Sequence, residues 1–174
     1  KNESDQAASF FQELGIGKGD MVMLILKRRH EFWTCMMALN KIGAVAIPAT
    51  FLLTAKDIVY RCGKASIKAI VCCGDEEITG HVNPAMPKCP SVKQRISIGP
   101  LVPKGWHDLH SGMRNAAPFI SHYTDRNVND YMLMYFTSGT SGEPKMVIHD
   151  NTYAIGHIAT AAFWHNLHPD SLHL

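Results

Sequence analysis

Three short apolar runs recur along the first half of the chain: MVMLIL at 21–26, AVAIP at 44–48 and KAIVCC at 68–73. Continuous apolar runs of this length are typical of strands that are covered on both faces, as in a parallel sheet. Between the first two runs, Phe32, Met36 and Leu39 recur at intervals of three and four residues. This spacing predicts an amphipathic helix over 29–42, which Gly43 ends.

The same order continues between the second and third runs. Thr54 is a candidate N-cap with Asp57 in the first turn, which predicts a helix over 57–65. A further short helix is predicted over 7–14. Strands that alternate with helices at short spacing form right-handed βαβ units, so the sequence predicts an α/β fold with a predominantly parallel sheet flanked by helices.

The second half of the chain has a less regular pattern. The prolines of residues 74–90 predict a surface connection with room for one helical turn. Strands are predicted over 95–99 and 130–136, separated by a loop-rich segment with one helix, in which Trp106 is expected to be a core residue. No internal repeat or linker divides the chain, and we therefore expect residues 1–174 to be one domain or part of one.

Composition and charge exclude several classes of protein. The 46% hydrophobic and 18% charged content is that of a globular protein. The net charge of +2 comes from dispersed residues and predicts no binding to nucleic acid or to an anionic membrane. The basic run 27–29 is interpreted as the solvated end of a strand. No run of about 18 apolar residues is present, so no membrane span is expected.

Cysteine and histidine positions give no metal motif. The five cysteines lack paired C-x-x-C spacing, and Cys72 and Cys73 lie inside an apolar run, where they are expected to pack as small hydrophobic residues. Unpaired cysteines favour the cytoplasm or another reducing compartment. The ten histidines are dispersed, and we predict no structural metal.

The most unusual stretch is YFTSGTSGEPKMV at 135–147, where hydroxyls, glycines and a lysine follow a predicted buried strand. Such a loop can direct several backbone N–H groups at one anion. Gly139 and Gly142 would allow backbone torsions and a close approach that a Cβ forbids, and Lys145 would pair with a phosphate oxygen. The alternative interpretation is an ordinary polar turn with Lys145 in solvent, but the density of donors favours phosphate binding.

Two known chemistries do not match this loop. A Walker A loop has Gly before its lysine and Ser or Thr after it, whereas this chain has Pro144 and Met146. A serine nucleophile in a G-x-S-x-G or S-x-x-K motif is not present, because Ser141 and Lys145 are four residues apart. A serine hydrolase would require Ser138 or Ser141 to be reactive, which the motifs do not favour.

FTSGTSGEPKMV closely resembles the signature of the acyl-adenylating, or AMP-binding, superfamily. That signature runs roughly Y-T-S-G-T/S-T-G-x-P-K-G-V, and the chain departs from it at Ser141 and Met146. Both departures are similar to the medium-chain acyl-CoA synthetase branch, as is HDNTY at 149–153. The segments GKGDMVMLIL at 17–26 and ALNKIGAVAIPAT at 38–50 also resemble the family, so the resemblance covers essentially the whole chain.

The resemblance implies a reaction and a set of ligands. Enzymes of this family join a carboxylic acid to ATP as an acyl-adenylate and then form a thioester with coenzyme A, and Mg²⁺ is the expected metal ion. Carried over by position, the residues that bind the β- and γ-phosphates are Thr137, Ser138, Gly139, Thr140, Ser141, Gly142 and Lys145. His149 would border the acyl pocket. The alternative for this histidine is a packed residue or a helix cap. Glu143 is expected to turn outward, away from the phosphates.

The resemblance also implies parts that this sequence does not contain. The adenine and ribose segment, a magnesium-binding glutamate, a hinge arginine and the catalytic lysine of a small C-terminal domain would all follow residue 174. We therefore expect a part of the N-terminal AMP-binding domain, without a catalytic residue, inactive alone and with apolar surface exposed. The alternative is a self-contained nucleotide-binding or scaffold domain without chemistry.

Overall fold

The three apolar runs form the centre of one sheet. In the computed structural model, which describes residues 2–138, 142–165, 168 and 170, the central strand β1 (Met21–Ile25) pairs in parallel with two neighbours, β2 (Val45–Pro48) and β3 (Ala69–Cys73). The other four strands are β4 (Gln94–Ile98), β5 (His107–Asp108), β6 (Tyr131–Thr137) and β7 (Lys145–Asp150).

The sheet has seven strands in the order β5-β4-β3-β1-β2-β6-β7. Every neighbouring pair is parallel except β6 and β7, which are antiparallel. The predicted α/β class with a predominantly parallel sheet is therefore confirmed.

Helices cover both faces of the sheet: α1 (Asn2–Glu13), α2 (Glu31–Ile42), α3 (Ala55–Ala65), α4 (Glu76–Ala85), α5 (Leu109–Asn115) and α6 (Thr152–Phe163). One buried cluster contains Phe11 of α1 and Leu39 of α2, packed with Leu24 of the sheet. The other contains Ile58 of α3, packed with Ile70 on the opposite face. Alternate residues of each buried strand pack into one cluster or the other, because successive side chains point to opposite faces of the sheet.

Local signals fix the helix ends. Gly43 has φ 74° and ends α2 in the left-handed conformation, which glycine adopts at little cost. Thr54 and Asp57 form a reciprocal capping box at the start of α3, in which the Thr54 N–H donates to Asp57 Oδ2 at 2.9 Å. Both predicted helix ends are confirmed.

The predicted surface connection over 74–90 is wrong. Most of it is α4, followed by a 3₁₀ turn at Met86–Lys88. The Asp75 carboxylate caps α4 by accepting from the Ile78 N–H at 2.9 Å, and Ile78 and Val82 are buried against the sheet. Pro84 is tolerated because it lies in the last turn of the helix, where it interrupts little of the hydrogen-bond ladder.

The residues predicted to be buried are buried. The Trp106 side chain lies in the second cluster, and its indole N–H donates to Asn83 Oδ1 at 3.1 Å. All five cysteines are buried free thiols. Burial raises the pKa of Cys35 to about 12, so this thiol behaves as a packed hydrophobic group.

The strand β7 and the helix α6 expose a run of apolar side chains. None of the α6 residues is buried. The exposed apolar side chains here include Met146, Val147, Ile148, Ile155, Ile158, Phe163 and Trp164. Apolar surface of this kind usually packs against another segment or molecule. Among the described residues, no helix has the length and apolar character needed to cross a membrane.

Candidate functional site

The hydroxyl-rich loop is the tip of an antiparallel hairpin. Residues 138–144 connect β6 to β7, and Thr137 pairs with Lys145 at the base of the loop. Because β6 runs parallel to β2, through Ala46 and Leu133, the tip projects from the sheet edge at which β1 to β4 also end. That is the edge at which open α/β sheets generally bind ligands. The strand β7, which the sequence pattern did not predict, therefore gives the loop a fixed base.

The structure places four of the predicted phosphate-binding residues at this tip. Thr137 ends β6, Ser138 and Gly142 lie in the loop, and Lys145 begins β7, and all four are exposed. The other three, Gly139, Thr140 and Ser141, lie outside the described residues.

The described side chains at the tip fit an anionic ligand. Within the part of the chain that the structure describes, the Thr137 hydroxyl has only a long contact, 3.5 Å, to the Lys145 carbonyl, which leaves it able to donate to a ligand. No ion pair joins the Lys145 ammonium to any residue that the structure describes. An exposed hydroxyl and an exposed lysine on neighbouring strands are suitable donors to a phosphate group.

Gly142 has a conformational reason to be glycine. Its φ is +86°, in the left-handed region, while a Cβ built at this position would meet nothing within 4 Å. The constraint is therefore the backbone torsion and not the space around the residue. This agrees with the prediction that the loop uses glycine for its backbone conformation.

Lys27 and Arg29, which follow β1 at the same edge of the sheet, form ion pairs with carboxylates. Lys27 Nζ lies 2.8 Å from Glu77 Oε2 and 3.1 Å from Asp75 Oδ2. Arg29 Nη2 lies 3.0 Å from Glu31 Oε1, whose side chain is only 5% exposed. These pairs neutralise the end of β1, in agreement with its interpretation as a solvated, charged strand end.

Glu31 is the most strongly perturbed carboxyl group at this edge. Burial alone would raise its pKa, but hydrogen bonds from Arg29 and from the backbone N–H of Glu31 itself outweigh burial and lower the pKa to about 2. His110 Nε2 lies 3.3 Å from Glu31 Oε1 as well. Glu31 is thus a fixed anion that binds Arg29 rather than a group poised to exchange a proton.

His149 packs in a row of aromatic rings. Its ring centroid lies 5.9 Å from that of Tyr135 and 4.1 Å from that of Tyr153, and Tyr153 in turn contacts His157 at 4.4 Å. The row joins the β6–β7 hairpin to α6. The geometry favours the packed alternative for His149, and its role at an acyl pocket remains a prediction.

One contact to the loop was not predicted. The Tyr60 hydroxyl of α3 donates to the Pro144 carbonyl at 3.0 Å, and the Tyr60 ring meets Phe136 edge-on at a centroid distance of 6.5 Å. The Arg61 guanidinium lies 5.1 Å from the centre of the Phe136 ring. Because 84 residues separate Tyr60 from Pro144, no spacing in the sequence could have indicated this contact.

The described residues contain no group of three or more histidine, cysteine or acidic side chains arranged to hold a metal ion. A magnesium site formed by this set of side chains alone is therefore not supported. Any ligand for Mg²⁺ would come from the nucleotide or from other residues.

Comparison with known proteins points to one family. The sequence model described as AMP-binding enzyme matches residues 1–173. Acyl-coenzyme A synthetase ACSM5, mitochondrial, of Rattus norvegicus is 34% identical over 160 residues, which are 91% of this chain and 27% of that protein. Acyl-coenzyme A synthetase ACSM1, mitochondrial, of Homo sapiens is 34% identical over 146 residues, or 84% of this chain and 25% of that protein.

Solved structures agree in fold. The anthranilate CoA ligase AuaEII in complex with anthranoyl-AMP matches with a TM-score of 0.83 at 21% identity, over 94% of this chain and 30% of that one. The N-terminal domain of FACL13 from Mycobacterium tuberculosis matches with a TM-score of 0.72 at 24% identity, over 86% of this chain and 36% of that one. This chain thus spans about a quarter of the length of the curated relatives named above, 27% and 25%.

Proposed function

Because the chain belongs to the AMP-binding enzyme family, we propose that the protein containing it is an ATP-dependent carboxylate–CoA ligase and that this chain binds the phosphates of ATP. The observation that carries the proposal is the hairpin tip, with exposed Thr137, Ser138 and Lys145 around a glycine in the left-handed conformation. The ligase chemistry itself rests on the family and on the named synthetases.

In the proposed reaction, a carboxylate oxygen of the acid attacks the α-phosphorus of ATP and pyrophosphate leaves. The thiol of coenzyme A then attacks the acyl carbonyl and displaces AMP, which gives the thioester. The hairpin tip contributes to the first step by holding the departing β- and γ-phosphates. Lys145 offsets their charge, and the Thr137 and Ser138 hydroxyls orient them. Gly139, Thr140 and Ser141 are assigned to the same role from the sequence signature.

Glu143 belongs to the loop but is not assigned to the phosphates. Its side chain is exposed, and burial together with the neighbouring Glu143 carboxylate raises the pKa of Tyr60. A carboxylate near the Tyr60 hydroxyl lies beside α3, away from the side of the hairpin that would face a triphosphate, which would repel it.

Several finer features of the function belong to the proposal. We assign the acid to the fatty acyl class from the resemblance of Ser141 and Met146 to the medium-chain branch, and the curated relatives are named acyl-coenzyme A synthetases. Mg²⁺ would accompany ATP, with ligands beyond the described side chains. A reducing compartment agrees with five free thiols, and the curated relatives carry the word mitochondrial in their names.

The test is ATP–pyrophosphate exchange that depends on a carboxylic acid, measured on the full-length protein. We expect exchange with a medium-chain fatty acid, strong loss of exchange in Lys145→Ala and none of that loss in Lys104→Ala, which removes an exposed lysine elsewhere. Absence of exchange with fatty and aromatic acids alike would contradict the ligase assignment.

Experiments on the 174-residue chain by itself distinguish this proposal from the alternative of a self-contained nucleotide-binding domain. A ligase part that lacks the adenine and ribose segment should bind ATP weakly and should not catalyse exchange. Tight, saturable binding of ATP to the chain in a calorimetric titration would favour the non-catalytic alternative.

A further inference from the structure

The base of the proposed phosphate loop is held by a helix that is distant in sequence. Tyr60 lies on α3 and is half-buried, with its hydroxyl donating to the carbonyl of Pro144 at 3.0 Å. Pro144 is the last residue of the loop and immediately precedes Lys145. The hydrogen bond therefore fixes the peptide that leads into the lysine assigned to the phosphates.

Aromatic contacts hold the other strand of the hairpin to the same helix. The Tyr60 ring packs edge-on against Phe136, and Arg61 lies over the Phe136 ring. Phe136 packs against the buried cluster that contains Ile58 of α3. The two ends of the loop are thus tied to α3, the first through the Phe136 ring and the second through the Pro144 carbonyl.

Tyr60 and Lys145 act from opposite sides of the hairpin. Phe136 pairs with Met146, while Thr137 pairs with Lys145, one position further along each strand. Because successive residues of a strand point to opposite faces, Thr137 and Lys145 face away from the side on which Phe136 meets Tyr60. Tyr60 therefore influences the loop through the backbone and not by contact with a phosphate.

We propose that Tyr60 is a positioning residue for nucleotide binding, which holds the end of the loop and thereby places Lys145 for the phosphates before ATP arrives. The inference rests on the proposed function of the loop. Holding a loop in its binding conformation lowers the ordering cost that the ligand would otherwise meet. Loss of the Tyr60 hydrogen bond should consequently weaken ATP binding without altering the groups that touch ATP.

The test is Tyr60→Phe in the full-length enzyme, which removes the hydroxyl and keeps the ring on Phe136. We expect the KM for ATP to rise about three- to ten-fold, the effect of one lost hydrogen bond. The KM values for the fatty acid and for coenzyme A, and kcat at saturating ATP, should not change. Tyr131→Phe is the matched control, because the Tyr131 side chain is exposed and its hydroxyl has no hydrogen bond within the described chain.

Hydrogen exchange gives a second readout that does not depend on turnover. In the absence of ATP, amides of residues 137–146 should exchange faster in Tyr60→Phe than in the wild type, and saturating ATP should remove the difference. Exchange in β3, at the centre of the sheet, should be the same in both proteins. A larger change is expected in Tyr60→Leu, which also removes the ring contact.

Three outcomes would overturn the inference. An unchanged KM for ATP in Tyr60→Phe, while Lys145→Ala raises it, would refute the role of Tyr60 and leave the phosphate site standing. Equal increases in the KM of all three substrates, with faster exchange across the sheet, would show a general structural role. An unchanged KM for ATP in Lys145→Ala would remove the phosphate site itself, and the inference with it.

Discussion

Replacement of Gly74 by alanine tests the packing of the sheet edge at which the proposed site lies. Gly74 follows β3, and its N–H donates to the Ile98 carbonyl at 2.8 Å. A Cβ at this position would lie 2.2 Å from the Leu101 carbonyl oxygen and 2.4 Å from Ser97 Oγ. Neither separation is possible, so the turn that carries Leu101 must move.

The cost can be worked from the contacts that would be lost. Ser97 is fully buried, and its hydroxyl donates to the Leu101 carbonyl at 2.5 Å. Breaking a buried hydrogen bond costs about 1–3 kcal/mol, and overpacking strain adds about 1–3 kcal/mol. We therefore expect Gly74→Ala to lower the free energy of unfolding by about 2–6 kcal/mol.

The assay is urea unfolding followed by circular dichroism, with Gly80→Ala as the matched control. Gly80 is exposed on α4, and a Cβ there would meet nothing within 4 Å. This control should raise stability by up to about 1 kcal/mol, since alanine is the better helix former. Unchanged stability of Gly74→Ala would refute the close approach of Leu101 to Gly74, and with it the packing of this sheet edge.

Two further predictions concern the ends of helices on either side of the sheet. Glu31, whose pKa of about 2 in the folded protein lies below its ordinary 4.5, should contribute about 3 kcal/mol of stability that is present above pH 4.5 and lost as the pH falls towards 2. The dependence of urea midpoints on pH should be shallower in Glu31→Gln over that window, and an identical dependence would contradict the buried ion pair with Arg29. Thr54→Ala should destabilise the protein by about 1 kcal/mol through loss of the α3 capping box. A midpoint equal to that of the wild type would show that Asp57 alone caps the helix.

Periodicity was sufficient for the centre of the fold. The strands β1, β2 and β3 are buried on both faces, so their residues are apolar throughout. Such strands can be predicted from their own residues, without knowing which elements lie beside them. The α4 helix was harder to predict, because Pro84 and the 3₁₀ turn that follows it resemble a connection. Its signals were the Asp75 cap and the helical spacing of Ile78 and Val82.

The hairpin shows the limit of sequence patterns more clearly. The β7 strand is largely exposed, so it lacks the alternation of a half-buried strand. The donor-rich loop could be predicted because its hydroxyls, glycines and lysine lie together in one short stretch of sequence. The contact of Tyr60 with Pro144 could not, because the fold alone brings α3 to this end of the sheet.

In the proposed function, Lys145 and its loop hold the β- and γ-phosphates of ATP. The most direct measurement compares the Kd values of ATP and AMP for the full-length wild type and Lys145→Ala, with Lys104→Ala as the control. A lost charge-assisted contact should weaken ATP binding about ten- to a hundred-fold. The affinity for AMP, which lacks those phosphates, should be unchanged. Equal loss of affinity for both nucleotides would contradict the phosphate role of this loop.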